Sequence, residues 1–555
     1  MKDIKIAARI LLSLLVALLW MNSAEAQQEE VRVVKPYTPT LSSAQKIQLL
    51  PNLKGEIDYT PPTFTYELYQ KRYDSQFGVE PIRAARMVKM PLKRLYKSQL
   101  TMGYGNYVTP LVELNISQLR SRKGTFGLNI RHHSMNGKVK LENDLKAPAG
   151  FNENMAEVYG SRFLKKGVFD YSAGASYNSY VHYGVDPELD IVLERKDASH
   201  PYFTAEGALG LHSIHADSFH FNYNADLDYY YFTHQFEEAE HGARAAFDFN
   251  KKLRVIDIAA EAGGAYYGHY PEWDTVFGNH TMFWLNPLVA KNADEWKLTG
   301  GFNTYGEVVD GVFTIHFYPV ATFEFNVVKE VLVPYFGVDG FLESNNARSI
   351  VEENPYVVPV LSVKPTNHKL IGYAGIKGRI SDRVAYNVRG SYSIIDNAYF
   401  YVNDISNPLM NQFTVVYDDV TLTNLYGELT VRPSEAWKVY LKGNYYSYVT
   451  QVNQDRPWNK PKFDLSLQAR YNMGNKILAE AGVFAIGSRY YENFDPTSEE
   501  KLPLTIDLNL GLEYRYSTLL SFWARFNNIA AQKYFLYHNY PSFRFRLMLG
   551  LTYAL

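Results

Sequence analysis

The stretch LTIDLNLGLEYRYS, residues 504–517, decides how this chain is read. Every second residue is apolar or aromatic: Leu504, Ile506, Leu508, Leu510, Leu512, Tyr514 and Tyr516. Between them stand Thr505, Asp507, Asn509, Gly511, Glu513 and Arg515, each polar or glycine. A period of two puts successive side chains on opposite faces of a β-strand, so the segment has one greasy face and one wet face. A soluble sandwich core and a lipid bilayer would both accept the greasy face, and the rest of the chain must discriminate.

The alternation recurs from residue 98 to the end. FDLSLQARY (463–471) sets Phe463, Leu465, Leu467, Ala469 and Tyr471 against Asp464, Ser466, Gln468 and Arg470. FDYSAGASYN (169–178) and VAYNVRGSY (384–392) repeat the pattern. FRFRLMLGLTYAL (543–555) sets Phe543, Phe545, Leu547, Leu549, Leu551, Tyr553 and Leu555 against Arg544, Arg546, Gly550 and Thr552. The links alternate as well. RKG (122–124), KKG (165–167), KKLR (251–254), KE (329–330), SDR (381–383), PSE (433–435) and GN (474–475) are tight turns, whereas the link near 397–418 is long. Short turns at one end and longer loops at the other belong to a transmembrane barrel. Strands of roughly 10 to 15 residues, tilted near 45°, also suit a hydrocarbon layer of about 30 Å. The fold class expected is therefore all-β, a transmembrane antiparallel β-barrel. About 22 strands can be read, an even number as in bacterial outer-membrane barrels.

Composition agrees and removes other classes. Aromatic residues form 15% of the 555, with 45 tyrosines. The net charge of −2 argues against nucleic acid as a partner. With no cysteine, disulfides, thiolate metal sites and cysteine nucleophiles are excluded. The N-terminus carries Lys2, Lys5 and Arg9, an apolar run from Ile10 to Trp20, and Ala24-Glu25-Ala26, the layout of a secretory signal peptide. Residues 1–26 are read as that signal, 27–97 as a Pro-rich segment with irregular backbone, and 98–555 as the barrel. The middle segment ends in a basic run, Arg83, Arg86, Lys89, Lys93, Arg94 and Lys97. The run reads as a solvated basic flank in the periplasm or as a docking site for an acidic partner or the lumen; in the docking reading part of the segment lies in or under the barrel and narrows the lumen, with Asp507 and Glu513 within reach.

The strand count, the tyrosine-rich strands, the hairpin YAGIKGRISDRVAYNVRGSYS (373–393) and the ending RFRLMLGLTYAL (544–555) resemble the TonB-dependent receptor family of the Bacteroidota type. The resemblance covers roughly residues 98–555 and implies an outer-membrane barrel for solute transport. One departure stands out: family transporters carry a plug of well over a hundred residues, and residues 27–97 are too few to form it.

No H-E-x-x-H, G-x-S-x-G, P-loop or dinucleotide motif occurs, so no enzyme activity and no cofactor is expected. His132-His133 is the one motif with metal-binding character, and its reading is a surface or lumenal pair. Phe463, Leu465, Leu467, Ile506, Leu508 and Leu510 are expected to face lipid. Asp464, Gln468, Arg470, Asp507, Asn509, Glu513, Arg515, Arg544 and Arg546 are the candidates to line the lumen, either bracing the wall through ion pairs or selecting solutes. Expected partners are outer-membrane lipid and lipopolysaccharide, with other outer-membrane or periplasmic proteins as further candidates. A lumen of 22 strands is wider than side chains can fill. Two functions follow, a solute transporter or channel, and alternatively a scaffold subunit whose lumen is occluded.

Overall fold

In the computed structural model, the described residues are 96–554, apart from 119–120, 215–219, 235–238, 271–278, 310 and 493–500. The signal peptide and nearly all of the Pro-rich segment lie outside the described residues. The strands are β1 (Ser98–Gly105), β2 (Thr109–Ser117), β3 (Gly124–Lys140), β4 (Lys146–Phe163), β5 (Gly167–Val181), β6 (Ser199–Ser213), β7 (Asn222–His234) and β8 (Ala239–Leu253). They continue with β9 (Ile256–Tyr270), β10 (His280–Asn292), β11 (Trp296–Val309), β12 (Val312–Phe325), β13 (Val333–Glu343), β14 (Thr366–Ser381), β15 (Val384–Asn403) and β16 (Phe413–Val431). The last are β17 (Trp437–Thr450), β18 (Phe463–Met473), β19 (Ile477–Ile486), β20 (Arg489–Tyr490), β21 (Lys501–Leu502), β22 (Thr505–Arg515), β23 (Leu520–Asn527) and β24 (Arg546–Ala554).

Each strand pairs antiparallel with the next, except that β20 and β21 form a separate two-stranded hairpin inside the link from β19 to β22. The remaining 22 strands close on themselves: β1 pairs with β24, from Gln99 opposite Ala554 to Gly105 opposite Met548. Closure leaves no free sheet edge, the condition for a sheet to cross a bilayer. The expected count of 22 and the closed antiparallel barrel are both found.

One end of the barrel carries only short links, such as 254–255, 382–383 and 474–476. Gly474 and Asn475 both have positive φ, 56° at each. A two-residue hairpin turn of this hand needs positive φ at both positions, and glycine with asparagine supplies it cheaply. The long links 182–198, 344–365, 451–462, 487–504 and 528–545 all lie at the other end, hereafter the loop end.

The two faces separate cleanly on β12. Phe313, Ile315 and Phe317 are 59%, 64% and 64% exposed, whereas Tyr318 is 3% exposed. Inside a barrel the side chains converge, and bridges reach over an intervening strand. Tyr335 on β13 donates to Asn387 Oδ1 on β15 at 2.7 Å, and Lys377 on β14 meets Glu324 on β12 at 2.9 Å. The polar face is thus concave and the apolar face convex. So large an exposed apolar surface is untenable in water and suits lipid.

The structure departs from the sequence reading at the last strand. It begins at Arg546, so Phe543, Arg544 and Phe545 precede it. Asn528 Nδ2 donates to Phe543 O at 3.2 Å, and the Phe543 ring packs on Tyr107 at 4.8 Å, which draws this stretch into the loops. Strands near the loop end also run longer than expected, to 20 residues in β15 and 19 in β16. At about 3.3 Å per residue they outreach the hydrocarbon layer even when tilted.

Neighbours on one strand test the two faces. Leu467→Arg should cost about 2 to 4 kcal/mol if its site is near the bilayer midplane, whereas Gln468→Arg should be tolerated. Folding into lipid vesicles, followed by heat-modifiable migration on gels, measures the difference. Equal tolerance at the two sites would contradict the assignment.

Candidate functional site

The links at the loop end do not stand apart; they pack into one another. Val181 at the end of β5, Tyr183 from link 182–198, Ile350, Val351, Tyr356, Val357 and Leu361 from link 344–365, Tyr401 and Phe413 at the ends of β15 and β16, and Tyr540 from link 528–545 form one buried cluster. Tyr540 is at its centre, 0% exposed, with its ring 3.9 Å from Tyr356 and 5.0 Å from Tyr183.

Hydrogen bonds tie the same links across the mouth. Tyr540 Oη donates to Asn411 O at 2.5 Å, and Tyr183 Oη donates to Pro541 O at 2.8 Å. Asn411 Nδ2 donates to His182 O at 2.9 Å, and Asp186 N to Leu409 O at 3.1 Å, although links 182–198 and 404–412 are separated by ten strands of the barrel. His182 Nε2 contacts Pro355 O at 3.0 Å. Gly184 has a reason to be glycine here, because a Cβ on it would run into the Tyr540 ring.

A short helix, Ala347–Glu353, sits inside this assembly. Its first amides are held by a carboxylate from the far wall: Ala347 N and Arg348 N donate to Glu240 at 2.7 and 3.3 Å. Arg348 Nη2 reaches Glu206 on β6 at 2.8 Å. The link between β13 and β14 is therefore anchored to the wall formed by β6 and β8.

Below this cap the concave wall carries most of the residues that the sequence singled out. Arg470 pairs with Glu480 at 2.6 Å, Arg515 with Glu513 at 3.2 Å, and Asp464 accepts from Asn444 at 3.1 Å. Gln468 donates to Ser466 Oγ at 3.1 Å. Asp507 and Asn509 together receive the Asn528 backbone N–H, at 3.0 and 3.2 Å. Gln468, Arg470 and Asn509 line a recess of about 300 Å³. Arg546 lies apart from them on β24, and Arg544 is in the link before it. Phe463, Leu465 and Leu467 stand on the opposite face of β18, and Ile506, Leu508 and Leu510 on that of β22. His132 meets Asn154 at 2.7 Å while His133 approaches Glu153 at 3.9 Å, on opposite faces of β3. Among the described residues no group of three or more His, Asp or Glu is placed to hold a metal ion.

Comparison with solved structures fits this geometry. The copper transporter OprC superposes with a TM-score of 0.63 at 10% identity, over 84% of this chain and 82% of that one. The ferric-catecholate import receptor Fiu from K12 E. coli gives 0.60 at 10% identity, over 83% and 82%. A variant of the ferric enterobactin receptor PfeA from Pseudomonas aeruginosa gives 0.61 at 10% identity, over 83% and 81%. The fold is that of a TonB-dependent receptor-like barrel. No family model and no curated protein matches the sequence.

Inward-folded loops are one of the ways such a lumen can be occluded, but sequence reasoning picked out none of the cap's residues, nor Trp523, Arg525 and Arg131 on the concave wall. SFWARFN (521–527) does alternate, with Ser521, Trp523, Arg525 and Asn527 on the wet face, so that part of the signal was present.

The cap contains two histidines that titrate abnormally, His182 fully buried and His538 half-buried. Burial holds His538 down at about 4, with Asp186 pulling weakly upward, and the ring stacks on Tyr491 at 3.9 Å. Burial, aided by His200, holds His182 well below its ordinary value. Both are neutral in the closed cap and titrate near 6.5 once exposed. The open state then binds more protons below pH 6.5, so cap stability is complete above that value and falls progressively down to about pH 4. Limited proteolysis of the loops in lipid-reconstituted protein should accelerate across that window, and His538→Gln should flatten the response.

Proposed function

We propose that this chain is an outer-membrane barrel that admits a solute through its lumen, with the loop cap as its gate. The observation that carries this reading is the cap itself, links from around the rim packed on the buried Tyr540 ring above a polar concave wall. The similarity in fold to proteins named as a copper transporter and a ferric-catecholate import receptor supports the same direction. In this reading the loop end faces outward, Asp464, Gln468, Arg470, Asp507, Asn509, Glu513, Arg515 and Arg546 line the passage, and residues 1–26 direct export.

Most of the named lining residues are already engaged with neighbours. Arg470 with Glu480 and Arg515 with Glu513 brace the wall, and a braced wall keeps the passage open below the gate. The gate depends on large aromatic rings, so removing one leaves a cavity that the other links cannot fill. Truncating a buried large aromatic costs about 3 to 5 kcal/mol. That energy falls on the cap, whereas the ladder of the barrel is untouched.

Planar-bilayer recordings of the purified full-length chain test the gate. The native protein should show little steady conductance, and Tyr540→Ala combined with Tyr356→Ala should raise it severalfold while heat-modifiable migration stays normal. Large steady conductance in the native protein would sink the gate. Silence in both proteins, with stoichiometric co-purifying partners, would turn the reading toward a structural subunit.

A further inference from the structure

We propose that Arg525 and Arg546 form an anion site in the concave wall, built to take a carboxylate or phosphate group of a solute. The proposal deepens the transport reading, on which its reference to a solute rests. The site lies at the seam where the barrel closes, in a recess of about 130 Å³ lined by residues of β2, β3, β23 and β24 and by Asn106 in the link from β1 to β2. Three guanidinium groups, Arg131, Arg525 and Arg546, face it against a single carboxylate, Glu113. Asn106 and Asn527 add amide groups, and His133 completes the polar lining.

The three arginines differ in how they are satisfied. Arg131 Nε meets Glu113 at 3.4 Å, so those two charges offset each other. Among the described residues Arg525 and Arg546 have no ion-pair partner. Asp507 belongs to the same wall, but its oxygens already accept from Asn528 N at 3.0 Å and Tyr534 Oη at 3.1 Å. Glu153 faces His133 at 3.9 Å. Arg546 Nε is buried and has no acceptor, and neither does Trp523 Nε1. A buried guanidinium N–H without an acceptor, in a lining with an excess of positive charge, calls for an acceptor that carries negative charge.

The wall holds these groups in place. Trp523 is 9% exposed and lies over Gly103 and Gly550, where a methyl group at either position would run into its ring. Arg525 stacks on that ring, 4.6 Å from guanidinium carbon to centroid. Register places Asn527 opposite Arg546 and Arg525 opposite Met548, so both guanidinium groups leave the sheet on the same face, with one residue pair between them. Glycines that seat an indole, an indole that props one guanidinium and a second guanidinium beside it make a preorganised fork. Arg244 on β8 also lies over an indole, that of Trp284 at 5.4 Å, but it is shared between Asp228 at 3.5 Å and Glu261 at 4.0 Å.

Isothermal titration of the full-length protein in detergent, at fixed ionic strength and pH 7.5, tests the site. Inorganic phosphate and citrate are the two probes, and sucrose is the neutral control. Saturable binding is expected for at least one anion and not for sucrose; phosphate alone, citrate alone or both identifies the group preferred. Affinity should fall at least tenfold in R525Q/R546Q and change little in R244Q. R525K/R546K keeps the charge but not the fork, so it should retain part of the affinity. Heat-modifiable migration checks folding, and R546Q alone is read if the double variant does not fold. Failure of the native protein to bind either anion, or unchanged affinity in the glutamine variants, would overturn the proposal. Binding is read here without any flux. A barrel that binds anion but passes no solute would cost the transport reading alone, and one that conducts without binding would cost the site alone.

Discussion

Backbone amides that face hydrocarbon have no water to bond, and the pairing of Ser98–Gly105 with Arg546–Ala554 is what leaves none of them stranded. Every other feature of the molecule follows from that seam. Closure with 22 strands fixes a perimeter, and the perimeter fixes a lumen too wide for side chains to fill. A soluble sheet of this size would bury its apolar face against another layer. Here the convex face keeps Phe313, Ile315 and Phe317 exposed, and the concave face carries the ion pairs. The inversion of the usual inside and outside is a consequence of closure in lipid rather than a separate design element.

A wide lumen creates a second problem, and the loops answer it with the physics of a small soluble core. Tyr183, Tyr356, Phe413 and Tyr540 bury aromatic surface against each other, and their polar ends find backbone carbonyls such as Pro541 O and Asn411 O. Tyrosine suits this position because it adds large buried area and still satisfies its hydroxyl. Anchoring by Glu240, which is 1% exposed, holds the helix Ala347–Glu353 through two backbone amides and ties the cap to the wall. The cap is thus a domain-like core assembled from pieces that are far apart along the chain. Its core is side-chain packing at the loop end rather than the hydrogen-bond ladder, so the cap can loosen while the ladder below it stays folded.

The barrel was legible in the sequence because its information is local. Alternation in LTIDLNLGLEYRYS or FDLSLQARY is visible within ten residues, and turns such as Gly474-Asn475 announce themselves through residues that tolerate positive φ. The cap was illegible because its contacts are remote: Asn411 and His182 lie 229 residues apart, and no periodicity marks either. The error at Arg544 has the same origin. Alternation continues upstream of the true start of the last strand, and the contacts of Phe543 with Asn528 and Tyr107 show that this stretch lies outside the sheet. Arg525 was the opposite case, since SFWARFN alternates plainly but is short and flanked by irregular links.

What alternation cannot reveal is which wall charges are spent and which are free. Asp464, Arg470, Glu513 and Arg515 looked alike in sequence to Arg546, and each of the first four has a partner within 3.2 Å. Pairing of this kind braces a wall, and being solvent-exposed it adds little to stability. The seam is built otherwise. Gly103 and Gly550 leave a space that the Trp523 ring fills, as Gly263 does for Trp284, but among the described residues no carboxylate pairs with the arginine stacked on Trp523. An indole can support a guanidinium without neutralising it, so Arg525 is held in place and keeps its charge. The residues that close the barrel are therefore also the ones that leave part of its inner wall electrostatically unsatisfied.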